Sequence, residues 1–243
     1  MRDIVLASRC SAVLCGLMCA ASLSAQAPAV PSLTASQIVT EMQSRNHARR
    51  SQLRHYHSVR HYSVEYRGYA MDIAAAMAVS VDYDAASGMT FTVISENGSR
   101  LLVNKVLKRL VESEKDVQDH HSAELSPENY SFSLVGTDMV GERPAYVLAV
   151  APRTDNKYLY RGRIWIDCSE FALMRIEAEP ARNLSFWISS TTIHHDFERT
   201  DGFWLPASDR SETRVRVGGR AVLKIDYGTY DIVSAASLTV SAR

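Results

Sequence analysis

From Tyr56 onward, apolar and polar residues alternate with a period of two over most of the chain. Tyr62, Val64 and Tyr66 alternate with Ser63, Glu65 and Arg67; Met77, Val79, Val81 and Tyr83 alternate with Ala78, Ser80, Asp82 and Asp84. After a turn at Ala86-Ser87-Gly88 the pattern continues through Met89, Phe91 and Val93. Such alternation predicts strands with one buried and one wet face, which is the mark of antiparallel sheet. Two segments carry helical spacing instead. Thr34 or Ser36 caps a first helix whose modest apolar stripe is Ile38, Val39 and Met42, and whose second half, to about Leu53, is polar. Ser99 caps an amphipathic helix in which Leu102, Val103, Val106, Leu107, Leu110 and Val111 recur at three- and four-residue steps before a highly charged stretch, 112–121.

Strands then resume: 130–135 leading into a hairpin around Gly141, 145–152, and the pair 158–167 and 171–179 around the turn Asp167-Cys168-Ser169-Glu170. Further on come 186–195, a turn at Asp201-Gly202, a short strand 203–205, and the pair 213–217 and 221–227 around Gly218-Gly219. A Gly-Gly between two alternating runs suits a primed hairpin turn, which needs positive φ. The expectation is α+β: about ten antiparallel strands and two helices, with no repeat and no internal linker. A long sheet with one greasy face has to curl, and one or two helices can plug the trough so formed.

Composition narrows the class. Of 243 residues, 46% are hydrophobic, enough for a sizeable core and too many for a disordered chain. Lys plus Arg and Asp plus Glu are 27 each, so no global imbalance points to nucleic acid. Residues 1–25 read as a cleaved secretory signal: Arg2 and Arg9, then an apolar stretch from Cys10 to Leu23 too short to span a bilayer, then small residues at Ser24-Ala25. Residues 26–32 form a linker and 33–243 a single domain, expected in the periplasm. Cys10, Cys15 and Cys19 fall in the signal, and none has the small-residue context of a lipoprotein acylation site. Cys168 then stands alone, without a disulfide partner, in a turn.

Candidate chemistry is thin. His55, His57 and His61 share parity on one extended segment, and His120-His121 and His194-His195 add pairs. Adjacent histidines on a strand point to opposite faces, and no acid lies between Glu41 and Glu65, so no metal site is expected. That acid-free stretch holds Arg45, Arg49, Arg50, Arg54 and Arg60, read as a solvated face able to meet anionic head groups or an acidic partner. Glu177 and Glu179 share one exposed strand face. Trp165, Trp187, Phe203 and Trp204 are read as packing residues. There is no phosphate loop, no Gly-x-Ser-x-Gly elbow and no His-Glu-x-x-His. Neither a catalytic residue nor a cofactor is expected.

The run Gly162-Arg163-Ile164-Trp165-Ile166-Asp167, followed by Phe171-Ala172-Leu173-Met174-Arg175-Ile176, resembles the central hairpin of the LolA/LolB-like half-barrel family of outer-membrane lipoprotein-sorting proteins, to which the sigma-factor regulator RseB is related. Glu179-Pro180, Ser185-Phe186-Trp187 and Gly202-Phe203-Trp204-Leu205-Pro206 look like its following segments, and the resemblance covers roughly 33–233. It implies a strongly curved sheet forming an incomplete β-barrel, with helices over the concave face, and a non-catalytic carrier of a lipid, acyl chain or lipoprotein. No acylated cysteine matches the membrane-anchored branch. Strand parity selects Val79, Val81, Phe91, Val93, Tyr146, Leu148, Ile164, Ile166, Met174, Ile176, Leu223 and Ile225 as the nonpolar lining of the trough, with Leu102, Val106 and Leu110 as its lid. Two other readings stay open: an envelope-stress regulator acting by protein contact, and a hydrolase with an unrecognised site.

Overall fold

The computed structural model describes residues 33–69, 71–119, 124–156, 158–182, 188–216 and 218–235. The expected signal segment and linker, with Cys10, Cys15 and Cys19, lie outside the described residues, as do His120, His121, Ser185, Phe186, Trp187 and Val217. Helix α1 (Ala35–Gln52) begins at a capping box. The Gln37 N–H donates to the Thr34 hydroxyl at 3.3 Å, and the Thr34 N–H donates to Gln37 Oε1 at 2.9 Å. Arg49 and Arg50 in its last turn suit the negative end of the helix dipole. The chain passes directly into β1 (Leu53–Arg67), then β2 (Asp72–Asp84) and β3 (Gly88–Gly98). A helical segment follows, called the lid below: α2 (Arg100–Leu102), a π-helical stretch Val103–Leu107, and α3 (Lys108–Asp119). The remaining strands are β4 (Tyr130–Val140), β5 (Arg143–Pro152), β6 (Tyr160–Asp167), β7 (Leu173–Pro180), β8 (Ile188–Thr200), β9 (Phe203–Val215), β10 (Arg220–Asp226) and β11 (Tyr230–Ser234).

All eleven strands join one antiparallel sheet, ordered β3-β2-β1-β10-β9-β8-β7-β6-β5-β4, with β11 continuing beside β1 where β10 stops. The sheet is open, with β3 and β4 as its edges, and with its two helical segments it is an α+β fold of the half-barrel kind. The described residues belong to one compact unit, Leu33–Arg243.

Two features depart from the expected strands. The expected strands 203–205 and 213–217 are joined, as far as Val215, into one strand, β9, because the intervening 206–212 stretch is also extended. Its polar residues carry no hydrophobic alternation, so periodicity could not see it. The last expected strand, 221–227, is β10, and beyond a break at residues 227–229 the chain pairs with β1 again as a further strand, β11: His61 faces Asp226, but Ser58 faces Tyr230. The break needs Gly228, whose φ is 61° and whose added Cβ would lie 2.5 Å from the Val59 carbonyl oxygen.

The β6–β7 turn is built around Asp167, which is only 1% exposed. Its Oδ1 accepts from the N–H groups of Ser169 (2.9 Å) and Glu170 (2.6 Å) and from the Ser169 hydroxyl (2.7 Å), and its Oδ2 accepts from Arg143 Nε at 2.7 Å. Burial pushes the carboxyl pKa up, but Arg143 and the turn donors outweigh it and hold it down at about 2. The folded value lies below the unfolded one, so this stabilisation is present above pH ~4 and is lost as pH falls toward about 2. Asp167→Asn should therefore cost about 2 kcal/mol at neutral pH. It should also flatten the acid limb of stability below pH ~4, as read by denaturant titration at a series of pH values.

Candidate functional site

Every lid and α1 contact with the sheet falls on one face, and a single cross-strand row traces that face over seven strands. Tyr62 faces Ile225, Ile225 faces Asp209, and Asp209 faces His195. His195 then faces Ile176, Ile176 faces Ile164, and Ile164 faces Leu148. The row starts in one apolar cluster, crosses a polar centre, and ends in a second apolar cluster.

In the first cluster Leu102, Val103, Leu107 and Val111 of the lid pack on Tyr62, Val64, Met77, Val79, Val81 and Ile225, with Phe91, Val106, Leu110 and Leu223 at its margin. In the second, Ile38, Val39 and Met42 of α1 pack on Leu148, Ile164, Ile166 and Ile176, with Tyr146 at its margin. The residues selected by parity are thus split between two helix-covered patches rather than lining one continuous trough. Two of them behave differently. Met174 packs with Ala145, Val147 and Trp165 on the opposite face. The cause is a β-bulge: Trp165 faces Arg175 but Ile166 faces Leu173, which reverses the alternation, and Leu173 packs on the second cluster in its stead. Val93 faces Val79 but is 43% exposed, because it lies on edge strand β3 outside the packed cluster.

The polar centre is where sequence reading fell short. Arg60, expected on a solvated face, occupies an inward position of β1 and is 4% exposed. Its Nη1 donates to Glu114 Oε2 of the lid at 2.5 Å, and the Tyr62 hydroxyl donates to Glu114 Oε1 at 3.0 Å. The guanidinium also lies over the Tyr227 ring, 4.8 Å from its centroid, and over Phe91 at 5.5 Å. Burial opposes the charge on Arg60, but Glu114 together with Tyr56, Tyr62 and Tyr227 more than offsets it, so the guanidinium stays protonated. Burial pushes the Glu114 carboxyl above the usual range, against the pull of Arg60 and Tyr62. Beside this pair the Tyr227 hydroxyl donates to Asp209 Oδ2 at 2.6 Å, while Asp209 Oδ1 contacts His195 Nδ1. Burial, then Asp209, raise the Tyr227 pKa well above its ordinary value. A signal for Arg60 existed: it shares parity with Tyr56, Tyr62 and Val64. Glu114 gave none, because only the fold brings it to β1.

The expected opposition of the adjacent histidines is visible in their partners. His195 meets Asp209 on the helix-bearing face, whereas His194 lies 3.5 Å from Glu177 and 3.2 Å from Asp196. Among the described residues no group of three or more His, Cys, Asp or Glu side chains is arranged to hold a metal ion. Cys168 is half-buried in the β6–β7 turn, and burial pushes its thiol pKa up. Two open cavities, of about 720 and 220 Å³, lie on the face away from the helices and are lined mostly by charged side chains.

A family model described as the MucB/RseB N-terminal domain matches residues 37–182. No curated protein matches the chain in sequence. Among solved structures, the chain is similar to a LolA superfamily protein from Nitrosomonas europaea, at 12% identity over 83% of this chain and 94% of that one, with a TM-score of 0.36. It is similar to a DUF1329 family protein from Desulfovibrio piger at 16% identity, over 86% and 98% of the two chains, with a TM-score of 0.43. A Pseudomonas aeruginosa MucA/MucB complex structure matches at 12% identity over 84% and 96%, with a TM-score of 0.27.

The Arg60–Glu114 pair acts as a fastener between lid and sheet. Glu114→Gln leaves a buried guanidinium without its counter-charge and should cost about 3 kcal/mol or more. It should also speed amide hydrogen exchange across residues 103–115. The double change Arg60→Met with Glu114→Leu removes both charges and should recover most of that loss, as read by the same exchange and denaturation measurements.

Proposed function

Because the chain belongs to the MucB/RseB N-terminal domain family, we propose that it is an exported periplasmic protein that binds an acyl chain, of a lipid or a lipoprotein, between sheet and lid, without catalysing a reaction. The observation that carries this reading is the construction of the first cluster. An amphipathic lid lays Leu102, Val103, Leu107 and Val111 on an apolar sheet face and is fastened there by a buried ion pair. A guest chain that slides under the lid exchanges one set of methylene contacts for another. Each CH₂ contributes about 0.8 kcal/mol, so a dozen offer on the order of 10 kcal/mol gross. Displaced lid contacts, the loosened ion pair and the entropy of association offset much of that. Near-balance is what a carrier requires, since cargo must also leave. The π-helical stretch Val103–Leu107 supports the same reading, because π-helical turns are rare and occur frequently at functional sites.

A second reading is favoured by a different observation. Val93 and Ile94 on β3, and Leu134, Val135 and Met139 on β4, are exposed along the two open edges of the sheet. Unpaired strand edges with apolar side chains suit contact with another protein. In that reading the chain acts as a regulator through a protein partner in the envelope, as the MucA/MucB pairing of the similar solved structure suggests.

The test uses the protein without residues 1–25. A fluorescent fatty acid should bind saturably, and native mass spectrometry followed by extraction should find co-purified lipid. Phe91→Asp, at the margin of the lid cluster, should weaken uptake at least tenfold, whereas Asp82→Ala on the other face should leave it unchanged. Equal effects from both, or a stable envelope protein without lipid, would favour the regulator reading instead.

A further inference from the structure

The face of the sheet away from the helices carries an arrangement of charge that ordinary sheet surfaces avoid. On neighbouring strands, opposite charges directly across from each other stabilise and like charges destabilise. Strands β6 and β7 obey this rule: Arg163 faces Glu177, and Arg161 faces Glu179. Strands β1, β10 and β9 break it. Arg67 faces Arg220, which in turn faces Arg214, and Lys224 faces Arg210, which in turn faces His194. Two rows of basic residues therefore flank the row Glu65, Val222 and Glu212 on this face.

The acids nearby, Glu65 and Glu212, are too few to neutralise them. Glu65 lies 3.5 Å from Arg67. Glu212 contacts Arg220 and is 3.9 Å from Arg210. Lys224 has no ion-pair partner among the described residues. Between the two rows lies a cavity of about 220 Å³, walled by Arg67, Arg210, Arg220 and Lys224 against the one carboxylate of Glu65, with Val222 and Ser63 completing it. That volume is roughly seven liquid waters, enough for a phosphate group and its ester carbon.

We propose that this cavity between β1, β10 and β9 binds the phosphate group of a phosphate ester, held by Arg210, Arg220 and Arg67 as planar donors and by Lys224 as a point charge. Guanidinium forks match phosphate oxygens in pairs, and an anion placed between facing cations turns their repulsion into attraction. Strand alternation puts this site on the opposite side of the sheet from Tyr62, Val64, Leu223 and Ile225 under the lid. It is therefore independent of the acyl-chain reading, and either can fail without the other.

The experiment titrates the protein without residues 1–25 in chloride buffer at fixed ionic strength with inorganic phosphate and with glycerol 1-phosphate. Calorimetry and the thermal midpoint are the readouts. Saturable binding and a rising midpoint are expected for the wild type. Lys224→Gln and Arg210→Gln should each weaken binding tenfold or more, yet leave the midpoint in chloride unchanged or higher, because each relieves a cation facing a cation. Arg163→Gln, in the oppositely paired part of the face, should bind as the wild type does. A second arm compares phosphatidylcholine vesicles with and without phosphatidylglycerol. Capture by the anionic vesicles in a Lys224-dependent way assigns the phosphate to a lipid headgroup, and binding of the free esters alone assigns it to a soluble one. Absence of saturable binding to every phosphate probe overturns the proposal. So does wild-type affinity in both variants, or a lower chloride midpoint in both, which is the mark of a purely structural role.

Discussion

An open antiparallel sheet with one apolar face must have that face covered, and among the described residues two helical segments do it. Everything on the helix-bearing side follows from that constraint. Helix α1 covers one end through Ile38, Val39 and Met42, and the lid covers the other through Leu102, Val103, Leu107 and Val111. Between these two patches lie the middle strands, β8 and β9, which only Phe203, Leu205 and Phe197 tie to the clusters. There the inward positions change character, and the row that is apolar at Ile225 and Ile176 becomes Asp209 and His195 between them. These positions carry polar side chains that bond to one another, Tyr227 to Asp209 and Asp209 to His195.

The polar centre also controls how firmly the lid is held. Apolar contacts alone are non-directional and permit sliding. The Arg60–Glu114 pair, with Tyr62 as a further donor, gives the lid a register on the sheet. Such a pair adds little net stability against an apolar replacement, but it is costly to break on one side only. A segment held by oil and one ion pair is stable in place and can still be displaced by a guest that supplies equivalent oil. The opposite face has no such cover and carries much charge, opposite charges facing each other between β6 and β7 and like charges facing each other between β1, β10 and β9.

The strand pattern was legible where inward positions are apolar. Val79 and Val81 in β2 and Ile164 and Ile166 in β6 stand out by parity, and each packs under a helical segment. Legibility failed where that signal is missing or shifted. The middle of β9 was unreadable because Asp209 and Ser211 occupy inward positions. Met174 was assigned to the wrong face because a bulge reverses the alternation, and a bulge is set by backbone pairing with β6, not by the local composition of β7. Arg60 was grouped with its sequence neighbours by charge, when its parity already placed it with Tyr62 and Val64.

From the sequence alone came the period-two strands, the two helical segments, the turn at Asp167 and the one-sided distribution of oil, because these depend on neighbours within a few residues. Tertiary structure decided the rest. It chose which helix covers which strands and carried Glu114 across to Arg60. It also joined Asp209 and His195 of two strands with Tyr227 of the break between β10 and β11, and stood Lys224 opposite Arg210. These are long-range pairings fixed by strand order and register, and no local pattern along the chain encodes them.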